Sequence, residues 1–243
     1  MNKVVIVTGA SRGIGREIAK SLVKKGNIVI ANYNNSEEKA ESLKKELESE
    51  GYNIDIYKAD ISKWDECKNL SEYVISKYNR VDVLINNAGI SQIKEFTKLT
   101  EEDWNMMINT NLNSVFYMTK EVVENMIHNK SGCIINISSV WGMVGSSCEV
   151  HYSTAKAGII GMSKALAKEL GPSNIRVNVI APGFVSTDMA NELSENDINE
   201  IINEIPLMRI GKPEEISKSV EWLIEDELMT GQVISPNGGW IIT

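Results

Sequence analysis

Tyr152-Ser153-Thr154-Ala155-Lys156 sets a phenol and an ammonium four residues apart. On a helix that spacing brings both side chains to one face, where they can meet in one pocket. Such a pair can do acid catalysis. Reducing a ketone leaves an alkoxide that needs a proton, and a hydrogen bond as its charge develops. A free tyrosine titrates near 10, so tuning Tyr152 to neutrality takes about 4 kcal/mol of differential stabilisation. Lys156, as a cation in a partly dry site, is the candidate source of that stabilisation. Ser139 ends an apolar run upstream of the tyrosine, at the edge where open α/β sheets expose their ligand crevice. Its hydroxyl suits the same carbonyl oxygen, and its neighbour Ser138 competes for the role on residue type alone. Tyr-x-x-x-Lys by itself also occurs on ordinary helix surfaces.

A second group points to phosphates. Thr8-Gly9-Ala10-Ser11-Arg12-Gly13-Ile14-Gly15 follows the first apolar run and opens a helical stretch. Gly9, Gly13 and Gly15 allow a tight turn, close approach to a pyrophosphate and close helix–strand packing. The N-terminus of the helix supplies free N–H groups. An NAD site wants a carboxylate roughly 20 residues further on. Here Ala31-Asn32-Tyr33-Asn34-Asn35-Ser36 has no acid before Glu37. Asn32, Asn34, Asn35 and Ser36 can donate to a 2′-phosphate that a carboxylate would repel, and Arg12 adds a cation. The expected cofactor is NADPH/NADP+; the plain alternative is a polar asparagine turn.

The elements that must position these groups alternate along the chain. Apolar runs at 3–8, 28–33, 53–58, 81–86, 133–137, 175–180 and 232–235 predict strands. Amphipathic stretches at 13–25, 37–50, 63–78, 151–170 and 213–225 predict helices. Repeated β-α-β units predict a single-domain α/β fold over 1–243: a doubly wound parallel (Rossmann) sheet of about seven strands with helices on both faces. The net charge of −8, from 25 basic and 33 acidic residues, argues against nucleic acid or an anionic membrane as partner. No apolar run is long enough to span a bilayer. Cys67, Cys133 and Cys148 match no metal motif, so no metal is expected and a reducing, cytoplasmic setting is.

In their order and spacing these motifs resemble the short-chain dehydrogenase/reductase family over essentially the whole chain. Besides the glycine turn, Ser139, Tyr152 and Lys156, the resemblance takes in Asp60, Asn86-Asn87-Ala88-Gly89, Asn111 and Pro182-Gly183 through Thr187. It implies cofactor contacts from Ser11 and Ile14 in the turn, and from Asp60 and Ile61 at the adenine. Asn87, Ala88 and Gly89 would line the ribose and nicotinamide approach. Pro182, Gly183, Val185 and Thr187 would hold the carboxamide end, and Lys156 the nicotinamide ribose. It selects Ser139 over Ser138. It also selects Asn111 over Asn109, with Asn111 holding a water that relays protons to Lys156. Without the family pattern, Asp60 reads equally well as a helix cap and Thr187 as a turn residue.

Within that family the chain is similar to 3-oxoacyl-[acyl-carrier-protein] reductases in length, cofactor loop and C-terminal half, which implies an acyl carrier protein as partner. Lys130 matches one basic docking position, whereas the second falls at Ser173; Lys164 and Lys168 are nearby lysines. Segment 140–150 is similar instead to a branch that reduces a 5-aminopentanone group on elongation factor P. There Glu149 would pair with the substrate ammonium and Trp141 would wall its alkyl chain; the plain alternative for Glu149 is a loop carboxylate bonded to backbone amides. A non-catalytic NADPH-sensing protein would not need Asn111, Ser139, Tyr152 and Lys156 together. Segment 188–210, with Met189, Leu193, Ile201, Ile202, Ile205 and Met208, reads as a lid or as amphipathic core. The resemblance also implies a homotetramer, through about 101–128, 151–170 and 232–242.

Overall fold

In the computed structural model, residues 2–187 and 194–243 are described. The strands are β1 (Val4–Val7), β2 (Ile28–Tyr33), β3 (Asp55–Lys58), β4 (Val83–Asn86), β5 (Gly132–Ile137), β6 (Ile175–Ile180) and β7 (Val233–Ile234). They form one sheet in the order β3-β2-β1-β4-β5-β6-β7, every neighbouring pair parallel. The helices are α1 (Gly13–Lys24), α2 (Glu37–Ser49), α3 (Trp64–Tyr78), α4 (Glu101–Ile108), α5 (Ser114–Asn129), α6 (Trp141–Val144), α7 (Val150–Leu170), α8 (Glu195–Glu204) and α9 (Pro213–Glu225).

Alternation along the strands divides the core in two. Val5 and Val7 of β1 pack with Ile18 and Leu22 of α1, Leu43 of α2 and Val220 of α9. Val4 and Ile6 of the same strand pack on the other face with Leu70 of α3, Met118 of α5 and Leu170 of α7. Both faces are therefore covered, as the continuous apolar runs require. Parallel strands put all their C-terminal ends on one edge, so the turn at 8–15 and the segments starting at 87, 138 and 181 emerge side by side.

Two features depart from the sequence expectation. The helical run beginning at 101 is broken at Asn109–Asn113 by one π-helical turn, and the loop between Ser139 and Tyr152 holds the short α6. Within 188–210 only α8 is regular among the described residues; Asp188, Met189 and Leu193 lie outside them.

Candidate active site

Three strand ends build the glycine turn. The buried Thr8 hydroxyl accepts the backbone N–H groups of Asn87 and Ala88 at 3.0 and 3.1 Å. The Asn87 amide donates back to the carbonyls of Thr8 and Gly9 at 2.9 and 3.2 Å. Gly9, at φ +64°, has no space for a side chain, because a Cβ would lie 2.7 Å from the Ala88 Cα. The turn is thus locked onto 87–89. It delivers the start of α1, whose first N–H groups have no helical acceptor, to the open edge of the sheet. Thr187 stands over that helix start, since a Cβ on Gly13 would lie 3.4 Å from its methyl group.

Asn32 is placed otherwise than expected. It is buried, accepts the Gly9 N–H at 3.4 Å and donates to the carbonyls of Tyr57 and Ala59 at 3.3 and 3.0 Å. With the Tyr33 carbonyl at 3.3 Å as a further acceptor, the amide is consumed by backbone groups, buttresses the turn and has nothing left for a phosphate. Asn34, Asn35 and Arg12 are exposed and Ser36 half-buried. Asp60 caps the approach to α3, accepting from Ser62 N and Oγ at 3.1 and 2.7 Å. Burial raises its pKa, but the Ser62 hydrogen bonds and Lys63 outweigh that and hold it below the usual carboxylate value. The Ile61 side chain is in the core. Pro182 accepts the Val140 N–H at 3.0 Å and Gly183 donates to Pro236 at 3.2 Å, while Val185 bridges Gly211. Arg16 was not anticipated; it crosses from α1 to Lys39 O and Glu46 of α2, at 3.0 and 2.6 Å.

Next to this cradle the edge gathers the other candidates. Ser138 and Ser139 part company here. Ser138 donates to the Lys156 carbonyl at 2.9 Å, a packing bond, whereas the Ser139 hydroxyl bonds to the Tyr152 phenol and accepts the Trp141 N–H at 3.2 Å. Lys156 is buried and donates to the Ile137 carbonyl at 2.9 Å. Its Nζ stands 5.7 Å from the centroid of the Tyr152 ring.

In the protein by itself, burial governs both the phenol and the ammonium. Burial pushes the phenol up to about 12, with the Ser139 hydrogen bond opposing and the Glu149 charge adding to the rise. Burial also pushes Lys156 down to about 8. The physical reason is that a dry site penalises both charged forms, and Lys156 spends a proton on Ile137.

Asn111 fixes the next stretch of chain. It is fully buried on the π-helical turn, accepts the Ile90 N–H at 2.8 Å and donates to the Ile90 carbonyl at 2.8 Å. The side chain clamps the chain just past Gly89, and a Cβ on Gly89 would lie 2.8 Å from Asn111 Oδ1 and 3.4 Å from Lys156 Nζ. Asn109 instead faces outward, bonded to Asn113 at 2.7 Å. Glu149 is half-buried beside the phenol, its pKa raised by burial and lowered less by the Ser146 hydroxyl. The Trp141 ring packs edge-on to Trp240 at 4.8 Å. The crowded glycines, the open helix start and a buried ammonium at Gly89 fit a dinucleotide laid from Gly13 towards Lys156. Among the described residues no cluster fit to hold a metal occurs, and no helix is long and apolar enough to cross a membrane.

Comparison with known proteins agrees with this geometry. The short chain dehydrogenase family model matches residues 3–198. The 3-oxoacyl-[acyl-carrier-protein] reductase FabG of Thermotoga maritima is 43% identical over 242 residues, covering 99% of this chain and 98% of the relative. Its namesake in Chlamydia trachomatis is 44% identical over 98% of this chain and 97% of its own. That of Staphylococcus epidermidis is 41% identical over 98% and 99%.

Proposed function

Because the chain belongs to the short-chain dehydrogenase family, we propose that it reduces the 3-oxo group of an acyl chain on acyl carrier protein to the 3-hydroxy group, with NADPH as cofactor. The observation that carries this reading is Ser139, Tyr152 and Lys156 at one sheet edge beside a glycine turn with no acid at the end of β2. When bound, NADPH supplies the hydride. The turn 9–15 and the start of α1 would hold its pyrophosphate, and Arg12, Asn34, Asn35 and Ser36 its 2′-phosphate. Asp60 and the backbone of Ile61 would meet the adenine. Segments 87–89 and 182–187 would flank the ribose and the carboxamide, with Lys156 on the ribose hydroxyls.

Ser139, whose oxygen accepts the Trp141 N–H, would turn its own proton to the ketone oxygen. Tyr152 gives that oxygen its proton. A phenol held at about 12 is fully protonated at neutral pH, which is the state an acid needs, and an alkoxide is a far stronger base than a phenolate. Lys156 then offsets the phenolate charge.

The carrier reading places a demand on the partner. Lys130 lies just before β5, and the six residues of that strand put it about 20 Å from Ser139. A carrier docked there reaches this site only through an arm of that length. Exposed Trp104, Met106, Phe116 and Ile242 support assembly as a homotetramer through α4–α5, α7 and the C-terminal segment, with 1–243 acting as one domain in the cytoplasm.

A second reading is favoured by Glu149: a half-buried carboxylate beside the phenol suits an aminoketone on a protein such as elongation factor P better than a neutral acyl chain. NADPH oxidation measured with acetoacetyl-carrier protein and with an aminoketone-bearing protein separates the two. Turnover of the thioester supports the first reading. Turnover of the aminoketone alone, lost in Glu149→Gln, replaces it with the second.

A further inference from the structure

His151 opens α7 one residue before Tyr152 and is fully buried, yet the chemistry above gives it no task. Its Nε2 lies 2.9 Å from Oε1 of Gln92. The other end of that amide donates from Nε2 to Asp103 Oδ1 at 3.0 Å, and Asp103 Oδ2 accepts from Lys94 Nζ at 2.5 Å.

These contacts fix the direction of every bond. A carboxylate only accepts, so Gln92 must turn its NH2 to Asp103 and its oxygen to His151. An amide oxygen also only accepts, so the imidazole proton must sit on Nε2. Nδ1 is then an unprotonated nitrogen, buried with no bonding partner among the described residues. Protonating it would place a cation and an unsatisfied donor in a dry site. Burial lowers the His151 pKa accordingly, with Asp103 opposing and Lys94 reinforcing. Those are the two charges that reach the ring from α4 and from the 90–94 segment; Glu149 stands two residues earlier on its own helix cap.

The same segment is sewn down at further points. Asn111 holds Ile90 from the π-helical turn, and Lys94 N donates to the Cys148 carbonyl at 2.7 Å. His151 is the stitch next to the phenol.

We propose that His151 is a positioning residue for the reduction: held as its Nε2–H tautomer by Gln92, it ties segment 90–94 to the first turn of α7 and so sets the orientation of Tyr152. This deepens the reductase reading and rests on it.

The test uses the whole chain labelled with 15N-histidine. Only two histidines are present, and His128, exposed near the end of α5, is replaced in a second sample to identify the His151 signals. The expected spectrum has His151 with Nδ1 unprotonated and Nε2 protonated, unchanged as the pH is lowered from about 8 to about 5. In kinetics, His151→Ala should lower kcat about tenfold through misplacement of the acid, with NADPH affinity kept within about twofold. His151→Gln, which retains a donor, should recover most of that loss. Gln92→Leu should reproduce the loss, and carries the kinetic arm if His151→Ala does not fold. A proton on Nδ1, titration of His151 within that pH range, or an unchanged kcat in both His151→Ala and Gln92→Leu overturns the proposal. If the unaltered protein reduces no ketone, the reductase reading falls, while the imidazole signals still decide whether the network exists.

Discussion

Lys156 donates to the carbonyl of Ile137 at 2.9 Å, so its ammonium is moored to the end of β5. Burial there depresses its pKa from 10.5 to about 8. A base with a lowered folded pKa binds fewer protons folded than unfolded between those two values, so stability rises with pH across that window. Below pH 8 the buried charge costs about 3 kcal/mol. Lys156→Met should therefore be inactive yet more stable than the unaltered chain at pH 7. Urea midpoints measured from pH 7 to 10 should show that margin shrinking as pH rises. An equal margin at every pH would contradict the burial argument.

Tyr152→Phe keeps the ring and its packing and removes only the proton to be delivered. Fluorescence titration should find NADPH binding preserved, and turnover should fall by about three orders of magnitude, within the range that general acid catalysis contributes. A variant that retains substantial turnover would leave Tyr152 without its role.

The asparagines after β2 should separate into two kinds. Asn32→Ala removes the amide that bonds Gly9, Tyr57 and Ala59, leaving buried backbone groups unpaired at a cost of about 1–3 kcal/mol. Its effect should appear in the denaturation midpoint, with the preference for NADPH over NADH intact. Asn35→Asp should leave stability alone and weaken NADPH about tenfold by facing a 2′-phosphate with a carboxylate, an effect that added salt relieves. Exchanged outcomes would reverse the assignment.

Glu149→Gln tests the field on the phenol. The Glu149 charge raises the Tyr152 pKa, so removing it should move the alkaline limb of the reduction profile to lower pH. Glu149 itself has a raised folded pKa, so its charge destabilises the fold once pH exceeds the ordinary carboxylate value. The variant should gain stability at pH 7 and none at pH 4. A fixed alkaline limb would mean that Glu149 does not act on Tyr152.

The sheet was legible because its strands are continuous apolar runs punctuated by turn residues. β6 matches the expected 175–180, set off by Gly171-Pro172, and α9 begins at Pro213 as expected. Ser139, Tyr152 and Lys156 were legible because a helix and a strand end carry them to the same edge. The π-helical turn at Asn109–Asn113 was not, since one extra residue in a helical turn barely disturbs hydrophobic periodicity. Nor was the burial of Asn32 or His151. A polar side chain in sequence does not announce whether it faces water or a backbone carbonyl, and His151 is explained only by Gln92, far away along the chain.

The bridge between Val185 and Gly211, reinforced by the Ser186 N–H on the Gly211 carbonyl at 2.9 Å, brings the two ends of the intervening chain together. Before reaching Gly211 the chain is also seated through buried Ile205 and through the Leu207 N–H on the Gly238 carbonyl at 3.1 Å. A different helix could therefore replace α8 between the same two feet without disturbing β6 or α9. Changes in ketone preference could then accumulate there through insertion or exchange, while the machinery for moving protons stays as it is.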